Sequence, residues 1–188
     1  IDALLQLTTR LPDSLPHKLR LADAIDDVGN PEDLAKLLEE LYPTLEESPE
    51  LAADLAVRAA RVAWDRLADA GRATEILRKA LELVPGHAEI TTLLEWLLRD
   101  TAQAEALADF YRAESERTLN DDVAQRLMLQ LGWVLERELQ RPAEAAEVYD
   151  QLWQRAPDDR GVIAVLARAL EAAGSHARLA EIREVQAE

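Results

Sequence analysis

Residues 131 to 157 read LGWVLERELQRPAEAAEVYDQLWQRAP, and this stretch decides the fold because it holds two helical patterns and the turn between them. Apolar residues recur at helical spacing on both sides of Pro142. They are Leu131, Val134, Leu135 and Leu139 before it, and Ala145, Val148, Tyr149 and Leu152 after it. Pro157 ends the second pattern. Gly132 and Ala145 are small, so with one on each helix the two backbones can approach closely. The stretch therefore predicts a helical hairpin.

This hairpin resembles the tetratricopeptide repeat, whose signature has a Leu-Gly pair in the first helix. The second helix of that signature carries a small residue, an aromatic residue and a proline, as this one does. The resemblance implies an all-α fold, an α-solenoid or TPR-like superhelix of about five antiparallel hairpins. They would occupy residues 14–47, 48–85, 86–118, 120–157 and 158–187, approximately. We expect residues 1–188 to form a single repeat array and to be a fragment of a longer protein.

Local start and stop signals define the helices of the first two hairpins. Ser14 is suited to begin a helix that Gly29 would end in the left-handed conformation. Asn30 is suited to cap the next helix, which its apolar stripe extends to about Glu47. The first helix of the second hairpin is expected to continue until Gly71, the next glycine along the chain.

The later hairpins show similar signals with some irregularities. The loop Leu139 to Arg141 is one residue longer than the family pattern, and the fifth hairpin is expected to turn at Gly174-Ser175. The last helix repeats apolar residues at Leu179, Ile182 and Val185, with no further hairpin to cover them. We therefore expect this apolar side to be exposed, frayed or covered by a neighbouring molecule.

Composition and charge exclude several classes of protein. The chain is 48% hydrophobic with only 4% aromatic residues, which favours helices over strands. Its formal net charge of −16 would repel phosphate backbones and anionic lipid, so we expect neither nucleic-acid nor membrane binding. It has no cysteine, which excludes disulfides. The location stays open, with the cytoplasm favoured over the periplasm.

No pattern of residues indicates catalysis. His17, His87 and His176 lie near helix starts and turns, and none has a second ligand at metal-binding spacing. The chain also lacks a glycine-rich phosphate loop. Its paired acidic residues suit helix starts or outward faces, whereas catalytic carboxylates need burial to shift their pKa. We therefore expect no catalytic residue, no metal and no cofactor, and infer that the chain is not an enzyme.

The resemblance also implies a binding surface, because the first helices of tetratricopeptide hairpins line a concave groove. Where a Leu-small pair sets the register, the corresponding positions can be carried over to this chain. They are Asp23 and Asp26 in the first hairpin, Arg126, Leu129 and Trp133 in the fourth, and Arg168 and Glu171 in the fifth. These residues would form a groove of mixed charge that holds a partner.

Tryptophans offer two interpretations. Trp64, Trp96 and Trp133 recur late in three successive first helices, and such a stripe is more often core than ligand platform. Trp133 distinguishes the two interpretations. It follows Gly132, so it would point about 100° away from the close-packed side of the helix, toward the groove. Trp153, beside Leu152, is expected to be core.

The sequence thus predicts a non-catalytic scaffold that binds a peptide or protein segment in its groove. One alternative is a structural spacer, or a module that self-associates through exposed ends of the array. The other is an all-helical enzyme using buried carboxylates. Residues 1–50 carry 12 acidic against 4 basic residues. Such an excess either keeps the surface solvated or steers a basic partner.

Overall fold

The computed structural model describes residues 1–12 and 14–187, which form helices joined by turns and contain no strand. The all-α fold class is therefore confirmed. The helices are α1 (Asp2–Arg10), α2 (Leu15–Val28), α3 (Pro31–Leu41), α4 (Pro49–Arg61), α5 (Ala70–Leu83), α6 (Ala88–Asp100), α7 (Ala104–Arg117), α8 (Asp121–Trp133), α9 (Pro142–Arg155), α10 (Arg160–Ala172) and α11 (His176–Ala187). A 3₁₀ turn spans Tyr42–Thr44, and π-helical turns extend α4 over Val62–Arg66 and α8 over Val134–Glu138.

The chain divides into two compact units, Ile1–Leu97 and Leu98–Glu188. In the first unit α1 packs on α2, α2 on α3, α3 on α4 and α4 on α5. In the second unit α7 to α11 pack in the same consecutive manner. Within each unit these helices therefore lie against their neighbours along the chain, which is the packing expected of TPR-like helical repeats. That the whole chain forms one array stays a prediction.

The close approach expected at Gly132 is present between α8 and α9. A Cβ atom placed on Gly132 would lie less than 3.0 Å from carbons of the Tyr149 ring. Ala145, one turn earlier on α9, is fully buried. The glycine is required here because a side chain would occupy the space of the tyrosine ring.

Two hairpins end their first helix with a π-turn, and the second π-turn begins 72 residues after the first, at Val134 against Val62. The Leu67 amide donates to the Val62 carbonyl at 3.2 Å, and the Leu139 amide to the Val134 carbonyl at 3.0 Å. A wider turn of this kind accommodates one additional residue. The extra residue expected in the loop after Leu139 is therefore absorbed inside the helix.

A left-handed residue follows each π-turn, and neither is glycine. Ala68 has φ 54° and Gln140 has φ 55°. The Asp69 amide then reaches back to the Ala63 carbonyl at 2.9 Å, which closes the first helix of this hairpin. The prediction that this helix continues to Gly71 is wrong, because Gly71 lies in the first turn of α5.

The first hairpin also differs from two predictions. Gly29 does end α2, but its φ of −98° and ψ of −173° are extended rather than left-handed. Glycine is needed there because a Cβ would lie less than 3.0 Å from Ile25. Helix α3 ends at Leu41, not near Glu47, since Pro43 has no amide hydrogen to continue the ladder. Asn30 caps α3 as predicted, accepting from the Glu32 amide at 3.0 Å.

The last hairpin covers its own apolar residues. Leu179 and Ile182 are only 5% and 0% exposed, because α11 packs on α10 after the turn at Gly174. The expectation that they lie open is therefore wrong, and Val185 lies outside the side chains that the structure describes. Trp153 is half-buried rather than core, with the Arg178 guanidinium 5.3 Å from its ring centroid.

Within each unit, arginines form ion pairs with carboxylates of the preceding hairpin. In the first unit Arg72 on α5 donates to Glu39 at 2.7 Å and to Glu32 at 2.8 Å on α3. In the second unit Arg178 on α11 donates to Asp150 on α9 at 2.7 Å. These ion pairs join residues about one repeat apart, so they stabilise the stacking of hairpins rather than the individual helices.

Candidate functional site

The second unit contains a cleft of about 450 Å³ between the first helices of two consecutive hairpins. Helix α8 supplies one wall and α10 the other, while α9 forms the floor. The lining residues are Arg99, Leu129, Gln130, Trp133, Tyr149, Val165 and Arg168. Three of the seven residues predicted from the sequence, Leu129, Trp133 and Arg168, are thus brought together in one place.

Trp133 and Leu129 form the apolar part of this cleft. Their exposed fractions are 42% and 36%, which is high for such large apolar side chains. They lie one helical turn apart on α8, next to Tyr149 in the lining of the cleft. The interpretation of Trp133 as a core residue is therefore wrong.

Arg168 is held by a buried carboxylate. Its Nε donates to Glu136 Oε1 and its Nη2 to Glu136 Oε2, both at 2.7 Å. Glu136 is only 8% exposed, whereas 44% of the Arg168 side chain is accessible. Tyr149 lies against this pair, and burial, together with the Glu136 charge, raises its pKa to about 12. The pair therefore fixes the orientation of a guanidinium that still faces the cleft.

Arg99 lines the same cleft and was not predicted from the sequence. One of its Nη atoms donates to the Tyr111 hydroxyl at 2.6 Å and to Gln130 Oε1 at 3.0 Å. Its guanidinium also lies 6.0 Å from the centroid of the Trp133 ring, within cation–π range. Nothing local in the sequence indicates this, because Arg99 precedes Trp133 by one hairpin.

The structure leaves two predicted groove residues outside this lining. Arg126 is exposed on α8, and Glu171 is exposed at the end of α10, 3.8 Å from Arg183. Both lie on first helices, as the resemblance implies, but neither borders the cleft. Their part in a binding surface stays a prediction.

Asp23 and Asp26 lie in the first unit, where they serve as partners of arginines. Arg58 on α4 donates to Asp23 at 2.9 Å and to Asp26 at 2.7 Å. Arg66 in the π-turn donates to the second oxygen of Asp26 at 2.8 Å. These carboxylates therefore connect α2 with α4, and Asp26 has both oxygens occupied.

A second cleft, which the sequence did not indicate, lies in the first unit between α4 with its π-turn and α6. Its volume is about 470 Å³. Trp64 and Trp96 form a T-shaped pair on its wall, with ring centroids 5.6 Å apart and planes at 89°. Trp64 is half-buried and Trp96 is 48% exposed, so the prediction that both are core residues is wrong.

The carboxylates in and beside the clefts differ in burial. Asp65 and Glu89, which line the cleft of the first unit, are exposed, whereas Glu136 beside the cleft of the second unit is buried. No three His, Cys, Asp or Glu side chains converge as metal ligands within residues 1–12 and 14–187. In the same part of the chain, no helix has the length and apolar character needed to cross a membrane.

No known family pattern matches the sequence, and no curated protein sequence matches it. Several solved structures are similar in fold. One is MamA of AMB-1, at 17% identity and TM-score 0.49, over 90% of this chain and 87% of that one. Another, a crystal structure of MamA protein, has 15% identity and TM-score 0.47 over 89% and 87%. MamA from Desulfovibrio magneticus has 18% identity and TM-score 0.45 over 90% and 91%.

Proposed function

We propose that this chain is a non-catalytic protein-interaction scaffold that binds a peptide or protein segment in a cleft between first helices. The observation that carries the proposal is the exposure of Trp133 beside Leu129, Arg99 and Arg168. Tryptophan and arginine are the residue types that most often anchor protein interfaces. A tryptophan that is not needed in the core is therefore explained by contact with a partner.

The shape of the cleft agrees with this role. Gly132 packs closely against Tyr149, which lines the cleft with Trp133, and Glu136 holds the Arg168 guanidinium in place. Side chains fixed before binding lose little conformational entropy when a partner arrives. The cleft combines an apolar surface with oriented donors, which suits a segment carrying both apolar and acceptor groups.

The test compares the unmodified chain with Trp133→Ala. Because Trp133 is exposed, its loss should change the free energy of unfolding by no more than about 0.5 kcal/mol. Affinity for a captured partner should fall by roughly 2 kcal/mol, as expected for an interface anchor. Affinity capture with mass spectrometry identifies the partner, and calorimetry with the purified partner measures the loss.

Leu135→Ala serves as the matched control, since Leu135 is 1% exposed and lies two residues away. It should lower stability by about 2 to 5 kcal/mol through a core cavity. If Trp133→Ala unfolds as readily as this control, or if partner affinity is unchanged by it, the proposal is wrong.

Self-association is a second candidate, and helix α1 favours it. This helix has no buried residue, and the exposed apolar side chains on it and at its two flanking positions are Ile1, Leu5, Leu7 and Leu11, at 38% to 47% exposure. Light scattering after size exclusion should then show dimers that form with concentration. Leu5→Ser should abolish them, whereas a monomer at every concentration would contradict this candidate.

A further inference from the structure

The first-unit cleft differs from the second-unit cleft at two matched positions. Trp64 and Glu136 are each the third residue of a π-turn, and Trp96 and Arg168 are each the ninth residue of the following first helix. In the second unit an ion pair joins these positions. The hairpin packing therefore does not require aromatic residues there, so another reason is needed for Trp96 to be 48% exposed.

The interior of the first-unit cleft is apolar. Besides the two tryptophans it is lined by Ala60, Ala73, Leu77, Leu93 and Leu97. The small residues Ala60 on α4 and Ala73 on α5 leave space in the cleft, and the T-shaped tryptophan pair forms an aromatic wall. A cavity of about 470 Å³ is large enough for a bulky apolar side chain and part of the segment that carries it.

The rim of the cleft carries a net negative charge. It carries Arg61, Asp65 and Glu89, and Arg61 already donates to Glu89 at 2.9 Å. Asp65 is exposed, and within residues 1–12 and 14–187 no hydrogen-bond or ion-pair partner is found for it. The charge of Asp65 is therefore available to a basic group.

The first unit as a whole is also negatively charged, since residues 1–97 carry 19 acidic against 10 basic residues. Complementarity of charge guides association and selects among partners. A segment rich in lysine or arginine would be attracted to this unit, whereas a second copy of this chain, with a net charge of −16, offers it no such complementarity.

We propose that the Trp64–Trp96 cleft binds a basic segment of another protein, with one large apolar side chain inserted against the tryptophans and a neighbouring lysine or arginine placed against Asp65. This rests on the proposed scaffold function and adds the chemistry of the partner. It concerns a different cleft from that of Trp133, so each can be tested separately.

The test uses the whole chain, labelled with ¹⁵N, and follows the indole N–H signals of its four tryptophans. The probe is the acetylated and amidated peptide GKKFKKG. Matched probes replace all lysines by glutamate (GEEFEEG) or the phenylalanine by serine (GKKSKKG). We expect GKKFKKG to shift the Trp64 and Trp96 signals in a saturable way, and each matched probe to bind at least tenfold more weakly.

Variants then assign the contacts. Trp96→Ala should weaken GKKFKKG binding at least tenfold, and Asp65→Asn several-fold at low ionic strength but little at high ionic strength. Trp133→Ala should leave it unchanged. The peptide comparison with unmodified protein needs no variant, so it stays decisive even if Trp96→Ala alters the fold.

Equal binding of GEEFEEG or GKKSKKG, shifts confined to Trp133, or no shift at millimolar peptide would each overturn the inference. So would a Trp96 shift that depends on protein concentration without peptide, because that would identify a second copy as the occupant. If these results appear while partner capture still depends on Trp133, only this inference fails. If partner capture is also lost, the scaffold function fails with it.

Discussion

Glu136 and Arg168 form a two-point ion pair between consecutive first helices, with both N–O distances at 2.7 Å. Trp64 and Trp96 meet at the matched positions 72 residues earlier, with ring centroids 5.6 Å apart. The same backbone geometry thus accepts either a salt bridge or an aromatic pair. This interchange gives the two units clefts of similar size and different chemistry.

The ion pair should matter to stability mainly through Glu136, which is buried. Arg168→Met leaves that carboxylate with only the longer Arg137 contact, at 3.8 Å, and we expect a loss of about 1 to 3 kcal/mol, less than for a fully buried pair because Arg168 is partly exposed. Replacing both residues by methionine should be less damaging than replacing Arg168 alone. Urea denaturation followed by circular dichroism measures the three proteins.

Arg183→Met is the control for this experiment, since the Arg183–Glu171 contact is 3.8 Å long and both side chains are exposed. It should change stability by no more than about 0.5 kcal/mol. A loss for Arg168→Met no larger than the control would show that Glu136 does not depend on its partner.

Gly132→Ala should destabilise the second unit. The added methyl group would meet the Tyr149 ring, and we expect a loss of about 1 to 3 kcal/mol from overpacking. Gly71→Ala is the matched change in the first unit, where the nearest atom to the new Cβ is Asp69 Oδ1 at 3.6 Å. It should be neutral or stabilising by up to about 1 kcal/mol. Equal effects of the two changes in thermal melts would refute this account of Gly132.

The left-handed residues Ala68 and Gln140 should both tolerate glycine. A non-glycine residue at positive φ is strained by about 1 to 2 kcal/mol, and glycine removes that strain while adding freedom to the unfolded chain. We therefore expect Ala68→Gly and Gln140→Gly to stabilise by about 0.5 to 1 kcal/mol each. Gly86→Ala, at φ 74° with no atom within 4 Å, should have the opposite effect. Destabilisation by both glycine variants would contradict the positive φ angles of Ala68 and Gln140.

Tyr149 should titrate abnormally. Its pKa in the folded protein is about 12 against an ordinary value of 10.0, because burial disfavours the phenolate. The neutral phenol is thus favoured by folding, so its contribution to stability is complete below pH 10 and is lost as the pH rises through 12. Absorbance at alkaline pH, compared between the unmodified chain and Tyr149→Phe, isolates this group. Ionisation of Tyr149 near pH 10 would show that its ring is accessible to water.

Helix starts were predictable where the signal is local. Asn30 lies next to the amide it caps, so a few consecutive residues suffice to identify it. The ends of the first helices were harder to predict from the sequence. Glycine is the usual left-handed residue, yet Ala68 and Gln140 take that role because the π-turn before each one determines the backbone path. Gly71 was therefore mistaken for the stop.

The candidate site was only partly predictable, and for a related reason. The register of α8 follows from Gly132, so the direction of Trp133 could be inferred from neighbouring residues. The meeting of Trp64 with Trp96, or of Arg58 with Asp23 and Asp26, joins residues about one repeat apart. Helical periodicity carries no information at that separation.

By itself, the sequence determined the all-helical fold, the hairpin at residues 131–157 and the close packing of Gly132, since these follow from spacing within a few turns. Only the tertiary structure decided which side chains are exposed and which ion pairs join consecutive hairpins. The physical reason is that burial and salt bridges depend on the stacking of one hairpin on the next, whereas helical periodicity reports only on spacing within one helix.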